Sequence, residues 1–230
     1  PRIPWCTLLM IGQLTKEEVN RKLLHGLAVL LPVSIFYCPL VWQFDRLFMF
    51  FVILSLLLFS VLIEMFRLRS NVFGKWFSAV FGSMMRKEEN TQLTGATYIL
   101  GGSLICGLLS LHSDSAAVAS FISLTLFILG DAVAAVTGKA IGRIKVGKKT
   151  LEGAVGCFIL CVLIAGLIFP NLPMFITYWG KNISWVEVLI ISSTVSVLEL
   201  FPIKVRRIIV NDNLYVPAIT TFVVLLIHSK

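Results

Sequence analysis

From about residue 23 to residue 228 the sequence is almost wholly taken up by apolar runs, each about as long as a bilayer is thick. Seven stand out, at roughly 23–42, 47–66, 94–111, 116–137, 153–170, 184–202 and 213–228. Hydrophobic residues form 57% of the chain and charged residues 14%. A soluble domain carries about a quarter charged residues. Inside lipid each segment must satisfy its own backbone hydrogen bonds, which leaves helices as the spanning element for runs of this length. The expectation is an all-α integral membrane protein: one membrane-embedded domain over residues 1–230, a bundle of about seven transmembrane helices. No stretch remains that is long enough for a soluble domain.

The charges between the runs predict the topology. Seventeen of the twenty Lys and Arg residues fall in the N-terminal tail and in the segments after the second, fourth and sixth runs. The alternate segments hold only Arg46, Lys181 and Lys230. Positive residues stay on the cytoplasmic side, so the N-terminus is expected inside and the C-terminus outside. The net charge of +8 then describes one face of the membrane. It suits anionic headgroups or a nucleotide rather than nucleic acid. The first residues show no cleavable signal pattern. The five cysteines lack metal-ligand spacing and read as small apolar filler.

Within 71–85, Val72, Phe73, Trp76, Phe77, Val80, Phe81, Met84 and Met85 form one stripe, and small or polar residues form the other. This predicts an amphipathic helix in the inner interface, serving as a connector. Near the N-terminus, Thr15 and Glu18 fit a capping box. Glu18, Arg21, Lys22 and His25 then follow at helical spacing on one face.

The richest stretch is 129–153, LGDAVAAVTGKAIGRIKVGKKTLEG. Asp131 sits near the end of an apolar run, a costly position that marks a functional residue by default. Lys139, Arg143, Lys145, Lys148 and Lys149 follow at once, and the next run opens with Thr150, Glu152 and Gly153. Gly142 and Gly147 lie five apart before Lys148, close to a phosphate-binding loop. The Ser or Thr that should follow that lysine is displaced to Thr150, and no strand precedes, so a P-loop NTPase fold is excluded. A helix N-terminus with lysines nearby still makes a phosphate cradle. Thr94 and Gly95 open the third run and suit either an anion or close helix packing. Glu199 ends the sixth run, and Asp212 with Asn213 begins the seventh. Glu18, Glu88, Glu89, Asp131, Glu152, Glu199 and Asp212 all map to the basic face. Carboxylates and cations gathered there predict a site for Mg²⁺ and a polyanion, rather than a conduction path with ionisable groups spread through the membrane.

Taken in order, RKLLH (21–25), MRKEENTQLTGATYILGG (85–102), GDAVAAVTGKAIGR (130–143), KKTLEG (148–153) and NDNLYVP (211–217) resemble the CTP-dependent lipid kinases. That family includes dolichol, phytol and farnesol kinases and the fungal-type diacylglycerol kinase, and it is distantly related to phosphatidate cytidylyltransferases. The resemblance runs from about residue 15 to the end; the long cytidylyltransferase signature is absent. It implies transfer of the γ-phosphate of CTP, with Mg²⁺ or another divalent cation, to the hydroxyl of a membrane lipid alcohol. On this reading Asp131, Glu199, Asp212 and Asn213 hold the metal. Arg21, Lys22, Thr94, Gly95, Gly130, Lys139, Gly142, Arg143, Lys148, Lys149, Thr150, Glu152 and Gly153 form the nucleotide and phosphate site, and His25 or Glu18 takes the alcohol proton. The expected setting is a multi-pass protein of a bacterial inner membrane, the endoplasmic reticulum or a plastid, with its site facing the cytoplasm. A cytidylyltransferase making a CDP-lipid is the first alternative; a transporter or scaffold without catalysis is the second.

Overall fold

The computed structural model describes residues 25–85, 87–205 and 208–229. Among them, apolar helices occupy the positions of the apolar runs. They are α1 (Leu30–Trp42, preceded by a helical turn from His25), α2 (Arg46–Arg69), α4 (Gly95–Ser110), α5 (Asp114–Ile141), α6 (Leu151–Leu163), α8 (Trp185–Leu200) and α9 (Asp212–His228). Helix α3 (Asn71–Phe81) and the short α7 (Phe175–Trp179) lie between them. A π-helical turn, Ile164–Ile168, and a 3₁₀ turn, Phe169–Asn171, prolong α6.

Four helical segments are long and apolar enough to cross a membrane: His25–Trp42, Arg46–Arg69, Asp114–Ile141 and Leu151–Asn171. Gly95–Ser110 and Asp212–His228 are apolar but shorter. At 1.5 Å per residue such helices fall a few ångströms short of a hydrocarbon core of about 30 Å.

Helix α5 is the centre of the bundle. It packs on α6, α9, α4, α1 and α8, and Ala116 to Ile128 are buried without a break. A helix apolar on every side must be enclosed on every side, which is why this one lies innermost. Ser113 starts it, its hydroxyl accepting from the Ala116 N–H at 3.1 Å.

The tightest seam joins α5 to α6. A Cβ on Gly130 would lie 2.7 Å from Cys157 Sγ, and one on Gly153 would lie 2.5 Å from the Ala134 carbonyl oxygen. Small residues at four-residue spacing let the two backbones approach, the usual basis of association between apolar helices. Polar ties join the other pairs. Ser120 donates to the Cys106 carbonyl at 2.8 Å, Ser196 to that of Ala154 at 2.7 Å, and Tyr215 to that of Leu198 at 2.9 Å.

The connections at one end are two short antiparallel hairpins. β1 (Lys145–Val146) and β2 (Lys149–Thr150) join α5 to α6; β3 (Lys204–Val205) and β4 (Ile208–Ile209) join α8 to α9. The first turns at Gly147, φ +63°, a left-handed conformation that glycine adopts without a steric penalty. The basic loop between α5 and α6 is thus a small ordered hairpin. At the opposite end Arg46 pairs with Asp114, and Lys181 lies 2.9 Å from Glu187.

Helix α3 begins on a Ser70 cap, ends at Phe81 and passes into a 3₁₀ turn at Gly82–Met84. None of its residues is buried, and Val72, Trp76, Val80 and Phe81 are exposed. Phe73 and Phe77 are half-buried, and the Phe77 ring lies under the Arg67 guanidinium at 5.7 Å.

Gly153→Val should destabilise the bundle by about 1–3 kcal/mol, because the α5–α6 seam has no room for the added carbons. Gly26→Ala, whose Cβ would meet nothing within 4 Å, should leave stability unchanged. Unfolding in mixed micelles with increasing SDS measures both.

Candidate functional site

Three carboxylates meet at the hairpin end of the bundle. Asp131 comes from the second half of α5, Glu199 from the end of α8 and Asp212 from the first turn of α9. One oxygen of each lies within 4.8 Å of the others. Glu199 is the innermost, 3% exposed; Asp131 and Asp212 are partly open to solvent.

Lys149 of β2 reaches into this group. Its Nζ donates to Glu199 Oε1 at 2.5 Å and to Asp212 Oδ2 at 2.7 Å. Burial by itself would lower the Lys149 pKa; the negative charges of Glu199 and Asp212 outweigh it and hold the ammonium above the ordinary lysine range. On the other side His25 Nε2 stands 3.5 Å from Asp131 Oδ2, and the imidazole meets Phe127 edge-on, ring centroids 6.2 Å apart. The structure therefore brings Asp131, Glu199, Asp212, Lys149 and His25 together from five separate parts of the chain.

The donor set is all carboxylate oxygen, which suits a hard divalent cation such as Mg²⁺ or Mn²⁺. Glu199 Oε2 is buried and has no hydrogen-bond partner. An orphaned buried carboxylate oxygen beside two further carboxylates is what a metal position needs. The residues present thus fit a divalent ion held by Asp131, Glu199 and Asp212. Asn213 points elsewhere: its amide donates to the Gly95 carbonyl at 3.0 Å and so ties α9 to α4.

The other residues singled out from the sequence fall into three groups. Lys139, Arg143 and Lys148 lie exposed at the end of α5 and on the hairpin. Thr150 caps α6, its hydroxyl accepting from the Gly153 N–H at 3.2 Å. Glu152 accepts from the Ile144 N–H at 3.1 Å and closes the base of the hairpin. Gly130 and Gly153 sit in the α5–α6 seam, and a Cβ on Gly142 would lie 2.8 Å from Thr150 Cγ2, so all three serve packing. Glu18, Arg21 and Lys22 lie outside the described residues.

Thr94 and Gly95 open α4, as expected, but carboxylates already take their backbone donors. The Thr94 N–H and hydroxyl donate to Glu64 Oε1 at 3.1 and 2.7 Å, and the Gly95 N–H donates to Glu89 Oε1 at 3.0 Å. Glu64 is in turn held by Arg67, whose Nε donates to Oε2 at 2.7 Å. Arg67 also donates to the carbonyls of Glu89 and Gln92 at 2.8 and 2.6 Å. Both side chains of the pair are 3% exposed. This network was missed from the sequence, where Arg67 counted only toward topology. The visible signal was a Glu and an Arg three apart, one helical turn, at the end of an apolar run. Through Gly95 and Asn213 it anchors the residue next to Asp212.

No protein-family model matches the chain, and no solved structure matches it. The chain is similar to an uncharacterised protein of Rickettsia prowazekii, 24% identical over 203 residues, which cover 87% of this chain and 89% of the relative.

Arg67→Met would leave the Glu64 carboxylate buried without its cation. The expected loss is about 3–5 kcal/mol, as for other broken buried pairs. Glu64→Gln combined with Arg67→Met should recover part of it. Chemical unfolding of the three proteins in detergent reads the difference.

Proposed function

We propose that this chain is a multi-pass membrane phosphotransferase. It would move the γ-phosphate of CTP to the hydroxyl of a lipid alcohol, with its site on the cytoplasmic face. The observation that carries this reading is the meeting of Asp131, Glu199 and Asp212 beside Lys149 and His25 at the basic end of an apolar bundle. The order of motifs, which resembles that of the CTP-dependent lipid kinases, is what suggests the nucleotide and the acceptor class. The charge asymmetry of the segments supplies a seven-span topology with the N-terminus inside.

Phosphoryl transfer asks little covalent chemistry of a protein; it asks for positioning and for charge at the transferred group. Asp131, Glu199 and Asp212 would hold a divalent cation. When bound, that ion neutralises charge on the phosphates and orients them. Lys139, Arg143, Lys148 and Lys149 supply positive charge on the same side for the triphosphate. His25 would accept the proton of the lipid hydroxyl at Nδ1, while Nε2, the ring nitrogen 3.5 Å from Asp131 Oδ2, carries the hydrogen through which that carboxylate orients the ring. The alcohol oxygen bonds to the γ-phosphorus. The bond from that phosphorus to the β–γ bridging oxygen breaks, and CDP leaves with the oxygen. A hydroxyl above an apolar tail reaches such a place from the bilayer, because the site lies where the apolar helices end. The exposed apolar residues of α3 suit a helix lying in the interface at this same end.

Purified protein given γ-labelled CTP and a panel of polyprenol, phytol, farnesol and diacylglycerol should yield a labelled phospholipid and CDP. Release of pyrophosphate with a CDP-lipid would identify a cytidylyltransferase instead. Asp131→Asn should lower turnover about a hundredfold or more, as when one group that stabilises transition-state charge is removed, while the melting temperature stays within a few degrees. A fully active Asp131→Asn protein would overturn the assignment.

A further inference from the structure

We propose that Lys149 is a resident counter-ion: it fills the cation position of the acidic trio until a divalent metal arrives, and is then handed over to the phosphates of the incoming nucleotide. The inference rests on the reading that the trio takes a divalent cation.

The argument begins with which oxygens are shared. Lys149 Nζ donates to Glu199 Oε1 and Asp212 Oδ2, two of the three carboxylates that lie within 4.8 Å of one another. A divalent ion bonds carboxylate oxygens at roughly 2.0–2.2 Å. At that distance it would lie where the ammonium now donates, and two cations repel strongly there. The metal and the ammonium are therefore alternatives.

Next is what the lysine leaves undone. Glu199 is 3% exposed, and its Oε2 has no hydrogen-bond partner although Nζ is bonded to the other oxygen. A single ammonium sets one positive charge against three carboxylates, and its bonds go to Glu199 Oε1 and Asp212 Oδ2. A buried oxygen without a partner is destabilising. A doubly charged ion with several coordination positions supplies what the ammonium lacks, so exchange is favoured once metal is present.

Last is whether the lysine can leave. Its backbone is held by the β1–β2 register, Val146 opposite Lys149, and by the Thr150 cap that follows. Its side chain is a flexible four-carbon stem carrying a compact charge, and it is 28% exposed. The same hairpin carries Lys145 and Lys148, both exposed. An expelled Lys149 ammonium thus joins a basic rim without any backbone rearrangement. Metal arrival creates the phosphate grip, and bound phosphate favours the metal in turn, since coupling between two ligands is reciprocal.

The test is titration of the purified full chain in detergent with Mn²⁺ alone, followed by electron paramagnetic resonance. Lys149→Met, which keeps the stem and removes the charge, should bind Mn²⁺ about tenfold or more tightly than the wild type, because a competing cation has gone. Turnover with CTP should fall in the same variant. Unchanged or weaker Mn²⁺ binding in Lys149→Met, with the wild type still binding, would overturn the exchange and leave the phosphotransferase reading standing. No saturable Mn²⁺ site in either protein would overturn both. If Lys149→Met does not fold, the wild type decides alone. Brief acetylation read by mass spectrometry should show Mn²⁺ raising the labelling of Lys149 severalfold relative to Lys148. Labelling of Lys149 that ignores Mn²⁺ sinks the proposal.

Discussion

Three carboxylates crowded at the end of an apolar bundle repel one another, and the Lys149 ammonium is what lets them share one small volume. Without a cation between them, Glu199 and Asp212 would each face desolvation and mutual repulsion. The lysine bridges both. On its other side Asp131 faces the His25 imidazole, Nε2 lying 3.5 Å from Oδ2. The site is therefore held together by opposite charge from elements that are far apart in the chain, and not by any local motif.

That arrangement depends on how closely α5 and α6 pack. Asp131 belongs to α5, whereas Lys149 immediately precedes the cap of α6. The two come close enough because glycines line the seam: a Cβ on Gly153 would run into the Ala134 carbonyl and one on Gly130 into the Cys157 sulfur. In lipid there is no hydrophobic gain in pushing two apolar helices together, so close van der Waals contact has to supply the attraction. The same glycines that would be flexible in a loop are here the means of a rigid seam. The hairpin between the helices is short and closed at its base by Glu152, which leaves the lysine little freedom except in its side chain.

A second charge system supports the first from a distance. The buried Glu64–Arg67 pair gathers the segment from Glu89 to Thr94 and presents Gly95 to Asn213. The backbone donors at the α4 N-terminus, which by themselves suit an anion, are given to the protein's own carboxylates. A helix terminus becomes a phosphate site only where its N–H groups are left unclaimed, and here the Thr94 and Gly95 N–H groups are claimed by Glu64 and Glu89.

The apolar runs by themselves determined the helical class and nearly every helix position, because a run of about twenty apolar residues has few alternatives in lipid. Charge rarity also made Asp131, Glu199 and Asp212 conspicuous, since an acid near the end of an apolar run demands an explanation. The sequence left open how those acids are shared out. Asp212 and Asn213 look equivalent on the page, yet one joins the trio and the other ties α9 to α4. Lys139, Lys148 and Lys149 look equivalent too, yet Lys149 is the one whose register in the hairpin aims it between Glu199 and Asp212. Such distinctions depend on the rotation of each helix and the register of each hairpin, which follow from packing against neighbours that local sequence does not contain.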